Sequence, residues 1–186
     1  TDTLIDRSEP PGRLRPGERS LAMVVTDLKT GTASKIHYST EWLNHLQASP
    51  TDPNRVLFCH EGAWHQVDRV WTMRTDGTQL KLMHKRTMPY EISGHEFFSY
   101  DGKWVWYDLQ TPRSAEFWLA GVNIETGERL WYPIAREHWS VHYNISRDGK
   151  LFAGDGGGPG SVANHGPLPE RRRLDPPGNG QWIYLF

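Results

Sequence analysis

Three histidines occupy the same place in a repeated pattern, four residues before a serine that opens a turn. The pairs are His45 and Ser49, His95 and Ser99, and His142 and Ser146. Imidazole changes its charge near neutral pH and ligates metals, so histidines that share a cleft can serve in proton transfer or metal binding. A single histidine in a strand is most often structural, but packing alone does not explain three at one repeated position. The pattern predicts a common site at which these side chains meet.

A second set of polar residues ends the strand-like run after each turn, namely His60, Asp108 and Asp155. Glycine follows closely after His60 and Asp155, which lets the backbone approach a ligand, and we expect both residues to contact the bound substrate. Arg69 comes nine residues after His60 and has the guanidinium fork that binds carboxylates bidentately. The alternative for Arg69 is a salt bridge with Asp68 or another acid. We expect the remaining histidines to be surface or loop residues: His37, His65, His84, His138 and His165.

The elements that must position these residues follow from two interleaved families of turns. The serines of the first family are separated by 50 and 47 residues, and the glycines of the second, Gly31, Gly77 and Gly127, by 46 and 50. Each period therefore holds two hairpins, or four strands, which is the pattern of a β-propeller blade. The alternative is a β-sandwich with coincidental spacing.

We accordingly predict an all-β fold in which residues 1–186 form one partial β-propeller domain. The period allows about four blades of four antiparallel strands in this length. The Pro-, Gly- and Arg-rich stretches 7–19 and 166–180 predict irregular ends at residues 1–19 and 166–180.

Composition excludes several classes of function. The formal net charge is −1, which predicts neither a nucleic-acid partner nor an anionic membrane surface. No apolar run approaches the roughly 20 residues of a membrane span, and the single cysteine, Cys59, excludes an internal disulfide framework. The glycine-rich stretch 154–160 lacks the Gly-Lys-Ser/Thr ending of a phosphate-binding loop. Because the chain starts at Thr1 rather than Met, we expect a fragment of a longer protein. No signal peptide is visible, and we expect that protein to be cytoplasmic.

Four segments together resemble the oligogalacturonate lyase family, over roughly residues 20–165. They are TEWLNHLQASPTDP (40–53), CHEGAWHQVDRVW (59–71), GHEFFSYDGKWVWYDLQ (94–110) and SVHYNISRDGKLFAGDGGG (140–158). The resemblance implies a seven-bladed β-propeller that cleaves short galacturonate oligomers, typically unsaturated dimers from pectin, by β-elimination. It also implies a divalent metal, usually Mn²⁺, at the mouth of the central channel.

The resemblance assigns roles to individual residues. His95 matches the general base, His142 a metal ligand and Arg69 an arginine that binds the substrate carboxylate, while His45 and His60 line the pocket. The family completes its metal site with Gln-x-x-His-x-His, and no such motif occurs in these 186 residues. We therefore expect an incomplete metal site in this chain. A non-catalytic propeller that binds a sugar acid or a protein, and a lyase for another uronate, are the alternatives.

Overall fold

The computed structural model describes residues 21–62, 65–156 and 183–186. The predicted irregular ends, His165 and residues 157–160 of the glycine-rich stretch lie outside these residues. In the part described, a single short 3-10 helix, Arg136–His138, accompanies thirteen β-strands. None of its helices has the length and apolar character to cross a membrane. The strands are β1 (Leu21–Thr26), β2 (Ala33–Ser39), β3 (Leu43–Ala48), β4 (Arg55–His60), β5 (Val70–Arg74), β6 (Lys81–Leu82), β7 (Ile92–Phe98), β8 (Trp104–Gln110), β9 (Phe117–Asn123), β10 (Arg129–Ile134), β11 (Tyr143–Ile145), β12 (Phe152–Gly154) and β13 (Tyr184–Leu185).

The strands form four antiparallel sheets in chain order. The first sheet pairs β1 with β2, the second has the order β3-β4-β5-β6, the third β7-β8-β9-β10 and the fourth β11-β12-β13. The all-β prediction is therefore confirmed, as is the repetition of four-stranded antiparallel sheets. Closure of such sheets into a propeller ring stays a prediction.

Both predicted families of turns join the expected strands. Gly31, Gly77 and Gly127 have φ values of 72°, 84° and 76°, a left-handed conformation that glycine adopts without steric cost. In the turns at Ser99 and Ser146, the hydroxyl oxygen accepts a hydrogen bond from the backbone N–H at or just before the start of the next strand, whereas Ser49 Oγ accepts from the N–H groups of Thr51 and Asp52 within its own turn. The bonds from Trp104 to Ser99 and from Leu151 to Ser146 are each 3.0 Å long.

The core lies between successive sheets, and β8 contributes to it on both of its faces. Tyr107 and Leu109 pack with Leu57 and Val70 of the second sheet. Trp106 points the other way, toward Phe152 of the fourth sheet. β7 packs against β3 and β4. This packing places the first strands of neighbouring sheets side by side, which is what brings their histidines together.

Candidate active site

His45, His95 and His142 lie next to one another, and we call them the histidine row. The ring centroids of His45 and His95 are 5.6 Å apart, and those of His95 and His142 are 4.9 Å apart. Each residue belongs to, or directly precedes, the first strand of its sheet. The three histidines that sequence spacing singled out thus converge on one place.

The same backbone feature, a β-bulge, orients the side chains of His45 and His95 toward the row. β3 has a register shift between Asn44 and Gln47, and β7 has one between Gly94 and Phe97. Inside these bulges, His45 and His95 have φ values of 50° and 48°. A non-glycine residue rarely adopts this left-handed conformation, and a bulge redirects the side chain it carries. Two adjacent sheets therefore hold histidine in a strained but equivalent orientation.

Two members of the row are paired with a carboxylate from the next strand of the same sheet. His95 Nδ1 lies 2.7 Å from Asp108 Oδ1, and His142 Nδ1 lies 2.6 Å from Asp155 Oδ2. A carboxylate at Nδ1 fixes the tautomer and leaves Nε2 as the nitrogen available for chemistry. The His95–Asp108 pair is suited to accept a proton, and the His142–Asp155 pair has the arrangement typical of a metal-binding histidine.

The environment shifts the pKa values of these groups in opposite directions. Burial lowers the pKa of His95, but the hydrogen bond and negative charge of Asp108 outweigh it, and the pKa lies above its ordinary value. Burial raises the pKa of Asp155, but hydrogen bonds from the His142 side chain and from the backbone N–H groups of His142 and Val141 bring it below its usual range. His95 is therefore neutral, and able to act as a base, only above its raised pKa.

The predicted match of His60 with Asp108 and Asp155 is wrong by one residue. The N–H of Ser49 donates to the carbonyl of Arg55, whereas Ser99 and Ser146 close their turns on Trp104 and Leu151. The first turn thus contains one residue more than the other two. Counting four residues from each closing position gives Cys59 as the equivalent of the two aspartates.

Cys59, rather than a carboxylate, therefore faces His45, and a glutamate from the next sheet joins them. Cys59 is fully buried, and burial raises the pKa of its thiol. The Glu96 side chain is also fully buried, with Oε1 3.7 Å from His45 Nδ1. Burial raises the pKa of Glu96 to about 7. Burial lowers the pKa of His45, and the charge of His95 lowers it further.

Arg69 lies beside the histidine row and is paired with an acid. Its Nη1 and Nη2 donate to Glu61 Oε2 and Oε1 at 2.9 and 3.2 Å, and both side chains are almost completely buried. Asp68, the first alternative partner, interacts with Arg86 instead. A Cβ atom at Gly94 would lie 3.6 Å from Arg69 Nη2 and 3.5 Å from Asp108 Oδ1. The guanidinium thus approaches the acid that orients His95, while its fork is held by Glu61.

His60 does not join the histidine row. Because successive side chains of a strand point to opposite faces, His60 turns away from the face on which Cys59 lies. His60 Nε2 is 3.0 Å from Ser39 Oγ and 3.0 Å from Glu41 Oε2. It lines a separate cleft of about 370 Å³ together with His37, Phe58 and Trp71.

His84, expected at the surface or in a loop, is in fact fully buried. Its Nε2 lies 2.5 Å from Glu91 Oε1, and its Nδ1 accepts a hydrogen bond of 2.9 Å from Tyr107 Oη. These contacts satisfy both ring nitrogens inside the core. His84 is therefore a structural histidine.

Sequence reasoning singled out Asp108 without pairing it with His95, and it gave Glu96 and Cys59 no role in the site, although each of the three had a signal. Asp108 follows His95 by 13 residues, the same interval that separates Asp155 from His142. Glu96 is a charged residue directly between His95 and the apolar pair Phe97 and Phe98 of β7. Cys59 was used only to exclude a disulfide framework, although it directly follows the apolar residues Val56, Leu57 and Phe58 of β4.

The chain is similar to known proteins in both sequence and structure. The family model described as oligogalacturonate lyase matches residues 16–166. An oligogalacturonate lyase of Dickeya dadantii is 33% identical over 135 residues, which is 72% of this chain and 34% of that protein. An oligogalacturonide lyase of Pectobacterium atrosepticum is 32% identical over 139 residues, with the same shares of the two chains.

Two solved structures share the fold of this chain. An oligogalacturonate lyase in complex with manganese superposes with a TM-score of 0.65 and 30% identity, covering 73% of this chain and 36% of that one. An oligogalacturonate lyase from Vibrio parahaemolyticus gives a TM-score of 0.64 and 30% identity, covering 73% and 35%. The chain spans about a third of the length of these relatives. The family model matches most of its residues, and the chain belongs to the oligogalacturonate lyase family.

Proposed function

We propose that the protein containing this chain is a lyase that cleaves short galacturonate oligomers from pectin by metal-assisted β-elimination. The observation that carries the proposal is the His95–Asp108 pair in the middle of the histidine row. A histidine oriented through Nδ1 presents Nε2 to a substrate, which is what a general base requires. In this proposal the repeated sheets are blades of a seven-bladed β-propeller, and the row lies at the mouth of its channel.

In the proposed reaction, His95 Nε2 removes the proton from C5 of the uronate. The electrons of the C5–H bond form a C4–C5 double bond, and the C4–O bond to the neighbouring sugar breaks. The leaving oxygen takes up a proton, so the products are an unsaturated uronate and a shortened saccharide. Asp108 holds the imidazole in the required tautomer and stabilises the imidazolium that forms.

Metal binding belongs to the proposal because His142 has the features of a ligand. With Nδ1 bonded to Asp155, its Nε2 is the nitrogen that would hold a divalent ion such as Mn²⁺. Such an ion, when bound, supplies positive charge that offsets the negative charge developing on the uronate carboxylate. Asp155 thereby acts through His142 rather than on the sugar itself.

Arg69 and His45 complete the proposed substrate site. Arg69 binds the uronate carboxylate bidentately, for which its pair with Glu61 must open. His45 borders His95 and keeps one side of the site polar. His60, which was predicted to line the same pocket, faces the separate cleft on the other side of β4 and is not placed in this substrate site.

The test is to assay a protein that carries this sequence at the full length of its relatives. We expect saturated digalacturonate, which lacks a conjugated double bond, to gain the ultraviolet absorbance of that bond on cleavage, and chelator treatment to abolish the gain. Binding of the oligomer without any product would instead identify a non-catalytic sugar-binding propeller. Turnover of another uronate in preference to galacturonate would keep the reaction and change the substrate.

A further inference from the structure

The second sheet departs from its neighbours at one chemically important position. In the third and fourth sheets the histidine of the row is bonded to an aspartate of the next strand. In the second sheet the equivalent residue is Cys59, so no carboxylate from that strand reaches His45. A thiol is a poor hydrogen-bond partner for imidazole, but as a thiolate it is a strong ligand for borderline and soft metals.

The neighbouring third sheet contributes a second unusual residue, Glu96, to the same position. Its side chain is 0% exposed, and among the described residues neither carboxylate oxygen has a hydrogen-bond partner. His45 Nδ1 lies 3.7 Å from Glu96 Oε1, too far for a hydrogen bond. A buried carboxylate is strongly destabilising unless a cation or several hydrogen bonds compensate it. A cation bound next to Glu96 would therefore compensate the buried negative charge of its carboxylate.

The charges around this position favour a cation. The buried acids Glu61, Glu96 and Asp108 surround it, and the cationic or titratable groups beside them are engaged elsewhere, Arg69 bidentately with Glu61 and His95 with Asp108. Among the described residues, no cationic side chain makes a hydrogen bond to the carboxylate of Glu96. The local field attracts a divalent ion, and the partly exposed His45 side chain provides a path from the solvent.

We propose that His45, Cys59 and Glu96 form a binding site for Zn²⁺ or a similar borderline divalent cation. One ligand atom of each residue lies within 4.8 Å of the others. Imidazole nitrogen, thiolate sulfur and carboxylate oxygen are the ligands that zinc prefers, with a fourth, open position for water. Donors around tetrahedral zinc are separated by roughly 3.5 Å, so His45, the most exposed of the three, moves inward on binding.

This site is separate from the manganese site of the proposed function, and it does not depend on that function. It uses no atom of His142 or Asp155. Its thiolate ligand selects a softer cation than Mn²⁺, which prefers carboxylate, carbonyl and water ligands. Binding releases the thiol proton of Cys59, because a metal-bound thiol is deprotonated.

The test uses Co²⁺ as a spectroscopic probe on the metal-free 186-residue chain. Because Cys59 is the only cysteine, a thiolate-to-cobalt charge-transfer band can come from no other residue. We expect the band to saturate at one equivalent of Co²⁺ and to disappear when Zn²⁺ is added. A folded chain that gives no such band would overturn the proposal.

Two variants test the proposed ligands, and a third serves as the control. Cys59→Ser should give no band, and Glu96→Gln, which keeps the shape of the side chain, should weaken Co²⁺ binding at least about tenfold. His138→Ala, an exposed histidine outside both proposed metal sites, is the control and should leave both the band and the affinity unchanged. If Cys59→Ser does not fold, Glu96→Gln decides alone: undiminished affinity in that variant, or loss of the band in His138→Ala, would contradict the assignment.

Discussion

At the scale of residues, the central feature is a repeated pair of histidine and aspartate whose members are 13 positions apart. His95–Asp108 and His142–Asp155 have almost the same geometry, with distances of 2.7 and 2.6 Å. Their surroundings differ, since the His142 side chain is 69% exposed and that of His95 29%. The more enclosed pair is suited to proton transfer, where solvent must be kept away, and the more open pair to binding an ion from solution.

The first prediction concerns Asp108, which acts by positioning His95. In a full-length protein, Asp108→Asn should lower kcat by about 100-fold or more, because the amide neither fixes the productive tautomer nor stabilises imidazolium. KM should change little, since Asp108 does not contact the substrate in the proposed arrangement. Steady-state kinetics on unsaturated digalacturonate measure both. The matched control is Asp101→Asn, in the exposed turn of the same sheet, which should alter neither; an equal loss there would mean a general structural effect.

At the scale of elements, the bulges in β3 and β7 position the row. In a regular strand, successive side chains alternate between the two faces of the sheet. A residue in the left-handed conformation inside a bulge departs from this alternation, so its side chain is redirected. The backbone at His95, with φ of 48°, is maintained against its own conformational preference by the ladders on either side. Strain retained at two equivalent positions indicates that the orientation of these side chains is what the bulges serve.

A pair of substitutions measures this strain. His95→Gly should be more stable than His95→Ala by about 1 kcal/mol, because glycine adopts positive φ without steric cost. Urea unfolding of the chain gives the difference. At His142, whose φ is not positive, the same pair should show no advantage for glycine. If alanine proved as good as glycine at position 95, the left-handed backbone there would be contradicted.

The sequence predicted the strands and turns better than the contacts between residues of different sheets. The turns at Gly77 and Gly127 could be predicted locally, because such a turn needs a residue that adopts positive φ. The histidines before Ser99 and Ser146 could be predicted because the pattern of each sheet repeats along the chain. The one-residue error at His60 arose because the turn after Ser49 is one residue longer, which only the hydrogen-bond register reveals.

Contacts between sheets were beyond what spacing could predict. The pairing of Arg69 with Glu61 was left open between several acids, and the burial of His84 against Tyr107 joins residues 23 positions apart. The approach of Glu96 to His45 likewise joins two different sheets. Such contacts follow from how sheets pack on one another, and no periodicity within one strand encodes them.

At the scale of the whole molecule, the chain contains the proposed base and one histidine of the proposed metal site but spans about a third of the length of its relatives. In the proposed propeller several blades contribute to the central site, so we expect the remaining ligands and part of the substrate pocket to come from regions of the relatives that this chain does not span. The proposed activity is therefore a property of the full-length protein, whereas the proposed zinc site is contained in this chain.

This division predicts different responses of the chain to two metals. Adding Mn²⁺ should leave the Tm almost unchanged, because one histidine gives weak binding and stabilisation follows affinity. Zn²⁺ should raise it through His45, Cys59 and Glu96. Thermal unfolding of the chain with each metal, compared with a chelator-treated sample, provides the measurement. A rise of several degrees with Mn²⁺ would mean that the manganese site is more complete than proposed.

The most direct measurement of the central claim is the rate at which a full-length protein carrying His95→Gln forms unsaturated product. Removal of a general base should lower that rate by at least about 100-fold, with metal content unchanged and with the control His138→Gln, an exposed histidine outside the row, as active as the unmodified protein. Undiminished turnover by the His95→Gln variant would contradict the assignment of His95 as the base.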